Sequence, residues 1–154
     1  MTPFQPAHLF NAQEADQALP DLPAGEWRDA LRAAAGGAPY LAQLCARRPE
    51  FVARIMAAGP DALFTDALAQ ARGAAALDFE AGMQALRAAK AATHLACAIG
   101  DLAGRWTLTR VTCALTELAD AACASALSLA ARALIDRGDL LGPADAREGP
   151  IPGF

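Results

Sequence analysis

Three features of this chain predict an all-α fold, a compact multi-helix bundle with short N-terminal helices and a long antiparallel helical hairpin. Alanine and leucine dominate the 154 residues, while valine, isoleucine and tyrosine are scarce. That balance favours helix, which Ala and Leu enter at little conformational cost, over sheet, which β-branched and aromatic residues populate. Gly-Gly, Gly-Pro and Arg-Pro pairs cut the first half into short pieces, whereas residues 86–102 and 108–135 run on with apolar residues at three- and four-residue steps. The length suits one domain with its own core.

Residues 1–24 form a Pro-rich segment, since Pro3, Pro6, Pro20 and Pro23 allow little continuous helix. One short helix fits, Asn11 to Ala18, with Asn11 as N-cap and Glu14 three residues on. The helical domain spans residues 25–135. From Glu26 to Ala35, Trp27, Ala30, Leu31 and Ala34 fall at helical spacing, and Gly36-Gly37 supplies the stop. Ala38-Pro39-Tyr40 opens the next helix, with Tyr40, Leu41, Leu44 and Cys45 on one side. Pro49 ends it, because the residue before a proline is pushed out of the α region. The same proline suits the first turn of a new helix, Pro49 to Ala58, with Phe51, Val52, Ile55 and Met56 on its apolar face. Gly59-Pro60 breaks that helix, and another follows from Asp61 to Ala71, closed by Gly73.

The long pair comes next. Ala88, Ala92, Leu95, Ile99 and Leu102 mark the inner face of its first member; Leu108, Val111, Leu115, Leu118, Ala122, Ala126 and Leu129 mark that of the second. Thr107 is the expected N-cap of the second, and the Gly100–Gly104 stretch is the elbow. Leu127, Ala130 and Leu134 add a second apolar edge. Residues 136–154, with Gly138, Gly142, Pro143, Gly149, Pro150, Pro152 and Gly153, read as a linker.

The net charge of −4 argues against a nucleic-acid partner, which calls for a clustered basic footprint. Arg47-Arg48 is the one adjacent basic pair and reads as a solvated helix end. No membrane is expected either, since uncharged runs such as Ala121–Ala131 fall short of the ~20 residues that span a bilayer. No secretory signal opens the chain. Cys45, Cys97, Cys113 and Cys123 lack the paired spacing of a zinc site and read as small buried hydrophobes in a reducing, cytoplasmic setting.

No phosphate loop, dinucleotide fingerprint, nucleophile elbow or zincin motif is present. His8 lies in the Pro-rich start, and His94 has no carboxylate three or four residues away to orient it as a base. Asp78 and Glu80 would share a metal on a strand, but on a helix they diverge by ~200°, so they read as acidic residues favouring a helix N-terminus. Trp27, Tyr40, Phe51 and Trp106 would suit a ligand cavity, though core packing is the commoner use of such aromatics. Arg87, Lys90 and His94 step along one helical face as a candidate protein-contact face, a pattern that an ordinary solvated face shares. No catalytic, metal-ligating or cofactor-binding residue is assigned.

Three blocks carry a family likeness over roughly residues 38–126. They are Ala38-Pro39-Tyr40-Leu41 running to Arg48-Pro49-Glu50, Leu86-Arg87-Ala88-Ala89-Lys90 running into Ile99-Gly100-Asp101-Leu102-Ala103-Gly104, and Leu115-Thr116-Glu117-Leu118-Ala119-Asp120-Ala121-Ala122. In this order they resemble the helical region before the first catalytic domain of glutamine synthetase adenylyltransferases, bifunctional enzymes that attach AMP to glutamine synthetase and remove it. The chain departs from that pattern in a thinner basic run after Arg87 and in Thr109 and Arg110, where acidic residues are usual.

The resemblance implies a following nucleotidyltransferase domain with a glycine-rich turn and a D-x-D pair, which removes AMP by phosphorolysis. A second such domain attaches AMP, under control of the PII protein and glutamine. Mg²⁺ and ATP or AMP belong to those catalytic domains, and none of their metal-binding positions maps onto this chain. The last residues stand about where the catalytic sheet would begin, so the expectation is a non-catalytic N-terminal segment of a cytoplasmic nitrogen-regulation enzyme. Its expected partners are the nucleotidyltransferase domain in cis and glutamine synthetase. The alternative is a free-standing helical protein-interaction module without the catalytic domain.

Overall fold

Caps and breaks in the sequence set the helix limits. In the computed structural model, which describes residues 11–140, six α-helices and one 3-10 turn occur in the order α1 (Ala12–Ala18), α2 (Arg28–Gly37), α3 (Pro39–Arg47), α4 (Pro49–Gly73), the 3-10 turn Ala74–Ala76, α5 (Phe79–Leu102) and α6 (Leu108–Arg137). No strand occurs among the described residues. Asn11, Asp78 and Thr107 are side-chain N-caps, accepting from the amides of Glu14, Ala81 and Arg110. The Asn11 amide meanwhile donates to the Gly36 carbonyl at 2.7 Å, which seats α1 on the end of α2. Gly36 and Gly37 are themselves helical, so α2 runs two residues beyond the expected stop. Of the expected linker, residues 136–140 finish α6 and its left-handed Gly138 cap, and the rest lies outside the described residues.

The Gly59-Pro60 break expected from the sequence is present. Gly59 sits at φ 81°, ψ 174°, so α4 consists of two limbs, 49–58 and 60–73, joined at a corner. The Arg54 Nε donates to Asp66 Oδ2 at 2.6 Å across that corner. Twelve residues of straight helix would separate this pair by about 18 Å, so the limbs fold back on each other. Trp27 covers the corner: a Cβ at residue 59 would lie 2.9 Å from its ring.

The core forms between the α4 limbs, α5, and α1–α3. Leu31, Ile55, Leu95 and Ile99 are fully enclosed. Antiparallel α5 and α6 make the predicted hairpin, and glycines bring them close at both ends. Leu129 of α6 lies against Gly82 of α5, where a Cβ would come within 2.6 Å of its methyl carbon. Trp106 covers Gly100 at the elbow, where a Cβ would come within 2.5 Å of the indole. The Arg105 and Trp106 amides both donate to the Gly100 carbonyl at 2.9 Å, closing the turn. Between these ends, the buried Ser125 hydroxyl donates to the Ala71 carbonyl at 2.8 Å and ties α6 to α4. Arg132 holds the 3-10 turn by donating to the carbonyls of Ala75 and Leu77.

The expected face of α6 is packed in part, with Leu118 and Leu129 buried and Val111, Ala122 and Ala126 half-buried. Ala114, Ser125 and Ser128 are buried as well, whereas Leu108 is 77% exposed and Leu115 40%. Leu127 is also exposed and adds no second packed edge. The cysteine expectation is half corrected: Cys45 and Cys97 are buried, but Cys113 and Cys123 are exposed on α6. Burial pushes the Cys45 thiol up to about 11, leaving it protonated and inert.

These contacts predict opposite outcomes at two glycines. Gly100→Ala should destabilise the fold by about 1–3 kcal/mol, because the rigid indole has to move off the helix. Gly73→Ala should stabilise it by about 0.4–1 kcal/mol, since its Cβ meets open space at φ −72°. Urea unfolding of both variants followed by circular dichroism checks the pair; equal effects would contradict the close approach at the elbow.

Candidate functional site

Two surfaces stand out once the helices are placed. The first contains the predicted trio on α5, which the structure divides. Arg87 Nη2 lies 3.4 Å from Glu80 Oε1, and the Gln84 amide donates to the same oxygen at 3.0 Å. Lys90 is exposed. One turn further on, the half-buried His94 turns to Tyr40 of α3, with the phenol oxygen 3.2 Å from Nδ1 and the rings edge to face at 5.9 Å. Burial first, and then the Lys90 charge, hold the His94 pKa below its ordinary 6.5. In its neutral form the ring can share this hydrogen bond with the Tyr40 hydroxyl in either direction, according to which ring nitrogen carries the proton. A phenol partner and no carboxylate give this histidine a packing role rather than the geometry of a general base.

α3 runs antiparallel to α5, so Tyr40 meets His94 while Arg48, at the far end, reaches the neighbourhood of Arg87. Both arginines line an open cleft of about 590 Å³ together with Gln70 and Gln84, over Leu77, Ala81, Ala85 and Ala88. The Arg48 guanidinium lies 4.8 Å above the Phe51 ring and 3.4 Å from Glu50. No local pattern in the sequence signals that Arg48 and Arg87 share a cleft. Their meeting depends on the folding back of α4, which brings Gln70 and Arg48 to the same side. Asp78 and Glu80 behave as expected of acidic residues at a helix start, Asp78 capping α5 and Glu80 pairing within it.

The second surface is the outer face of α6. Leu108, Thr112, Leu115, Ala119, Cys123 and Ala130 are exposed there, and Leu127 flanks them. By length and composition α6 is apolar enough to cross a membrane, with 28% of its most apolar window buried within the fold. Glu117 and Asp120 interrupt it near the middle, and its other face is packed on α4 and α5. The four aromatics noted in the sequence have separate neighbours: Trp27 covers Gly59, Tyr40 meets His94, Phe51 lies under Arg48, and Trp106 covers Gly100. Among the described residues, no group of three or more His, Cys, Asp or Glu side chains is placed to hold a metal ion.

Comparison with known proteins gives a consistent set of relatives. The sequence profile described as glutamate-ammonia ligase adenylyltransferase matches residues 28–153. The chain is 43% identical over 117 residues to the bifunctional glutamine synthetase adenylyltransferase/adenylyl-removing enzyme of Caulobacter vibrioides, covering 75% of this chain and 12% of that one. Against the protein of the same description from Bradyrhizobium diazoefficiens it is 37% identical over 140 residues, covering 89% of this chain and 14% of the relative. The chain thus spans only about an eighth of the length of the curated relatives it matches. No solved structure matches it.

The His94 environment fixes the sign of a pH effect. Its folded pKa lies below the unfolded value, so between the two the unfolded chain binds more protons and stability rises with pH. Stability is therefore lost as pH falls from about 6.5 through the folded pKa. An NMR titration of the imidazole should place His94 below 6.5, and Lys90→Gln should move it upward. A pKa at or above 6.5 would contradict the burial described here.

Proposed function

The chain belongs to the glutamate-ammonia ligase adenylyltransferase family, and we propose that it serves there as a non-catalytic helical unit supporting the adenylyl-removing nucleotidyltransferase domain. The observation that carries this reading is the outer face of α6. A helix whose inner face is packed ordinarily presents a polar outer face. Here exposed leucines and alanines continue along the outside, with Leu108 77% and Leu115 40% exposed. Covering a leucine fully contributes about 2 kcal/mol, so several such residues support a lasting contact. In relatives of which this chain spans 12–14%, the occupant closest to hand is the remainder of the same polypeptide.

In this reading the chain itself performs no nucleotidyl transfer. Mg²⁺, ATP and AMP belong to the catalytic domains, and no residue described here is assigned to them. Glutamine synthetase is the substrate protein of the whole enzyme. The rigid hairpin contributes by fixing the orientation of the adenylyl-removing domain.

Co-expression with the catalytic remainder of the Caulobacter vibrioides relative tests the proposal. The two pieces should elute together on size exclusion, and Leu115→Glu with Ala119→Glu should separate them while leaving the helical signal of this chain intact. Deleting the matching segment from that relative should lower adenylyl-removing activity at least tenfold. Unchanged activity and stability after the deletion would overturn the reading and favour a free-standing interaction module.

A further inference from the structure

The cleft between the α3–α4 junction at Arg48, the second limb of α4 and the start of α5 is built differently from the outer face of α6. Its floor is small and apolar, and its rim carries Arg48, Gln70, Gln84 and Arg87. Arg47 precedes Arg48 in the chain, and the exposed Lys90, the single lysine of a chain with net charge −4, follows Arg87 by three residues along α5. Two arginines thus line the cleft, each near one carboxylate, Glu50 beside Arg48 and Glu80 beside Arg87. Both carboxylates are more than half exposed and sit 3.4 Å from their arginines. Pairs of that kind are weak and easily exchanged. Each arginine reaches its glutamate through one terminal nitrogen, leaving further donors of the guanidinium fork for a second carboxylate. Stacking on Phe51 keeps the Arg48 group in place beforehand.

Glu80 displays the chemistry that the rim accepts. One of its oxygens takes both the Gln84 amide and the Arg87 guanidinium. The same donors would receive a carboxylate from outside as Glu80 swings back into solvent. We propose that this cleft docks an acidic segment of a partner polypeptide, with Arg48 and Arg87 gripping its carboxylates, Gln70 and Gln84 its amides, and Lys90 extending the contact along α5. The cleft is open to solvent, which suits a row of peptide side chains rather than an enclosed small molecule. This goes beyond the support role assigned to α6, since it concerns a separate surface and survives if that role fails.

The test uses the 154-residue chain and a fluorescein-labelled dodecapeptide of repeating Glu-Glu-Ala, read by fluorescence anisotropy. Saturable binding is expected, weakening at least tenfold for Arg48→Glu with Arg87→Glu and at least threefold for Lys90→Gln. The corresponding Gln-Gln-Ala peptide should bind at least tenfold more weakly, and Arg137→Glu, at the distal end of α6, should stay within twofold of the unaltered chain. Amide NMR shifts induced by the acidic peptide should centre on Arg48, Gln84 and Arg87, which keeps the result decisive if the double variant is poorly folded. Absence of saturable binding, shifts centred elsewhere, or equal affinity for a twelve-nucleotide oligothymidine would overturn the assignment.

Discussion

The packing of Trp106 onto Gly100 is the contact on which the rest of the molecule depends. It closes the α5–α6 elbow and, in the same stroke, ties that elbow to α4. The indole N–H donates to Asp61 at 3.0 Å, its ring meets Phe64 edge to face at 6.0 Å, and Arg110 stacks 4.5 Å above it. Arg110 also reaches Asp61 at 3.3 Å, and Arg105 pairs with Glu26 beside Trp27. Trp27 in turn covers the Gly59 corner. Four helices are therefore fixed by two tryptophans laid on two glycines. The charged members of this clasp are partly exposed and add little by themselves; burial of the indole and the stacked rings supplies most of its stability.

This clasp also explains why the two candidate surfaces differ. With its elbow end anchored, α5 is drawn into the centre, enclosed by α2, α3, α4 and α6, and its residues 89–100 are mostly buried. α6 lies on the outside of that core with one face packed and the other open. The fold is complete without the outer leucines of α6, so their exposure is a property of the surface rather than of a deficient core. The polar cleft arises from a different feature, the reversal of α4 at Gly59, which places both ends of that helix beside the start of α5.

Most of the architecture was legible in the sequence because its limits are set by local signals. Asn11 and Thr107 cap as expected, Pro39 and Pro49 open helices, and Gly59-Pro60 marks a real corner. The family blocks were legible too, because each combines a helix boundary with a spaced apolar row. What the sequence left open was which edge of α6 is packed, since Leu118 and Leu129 are buried as expected while Leu108 and Leu115 are exposed. Alanine and leucine occur all round that helix, so Leu108 and Leu115 look as much a part of the packed row as Leu118 and Leu129 do, while Ala114 and Ser125 go unnoticed beside them. The buried serines were the available clue, since Ser125 bonds to a neighbouring helix rather than to water. Pairing of Arg48 with Arg87 in one cleft depends on long-range folding of α4, which no local pattern encodes. The acidic positions replaced by Thr109 and Arg110 have a structural sequel here, with Arg110 serving the tryptophan clasp.

The central functional claim is that the outer face of α6 is covered in the assembled enzyme. Hydrogen–deuterium exchange tests it most directly, comparing this chain alone with the same chain substituted for its 43%-identical counterpart in the Caulobacter vibrioides protein. The account predicts slower exchange across residues 108–130 of α6 in the larger protein, with α2 little changed. Identical exchange of α6 in both settings would contradict it.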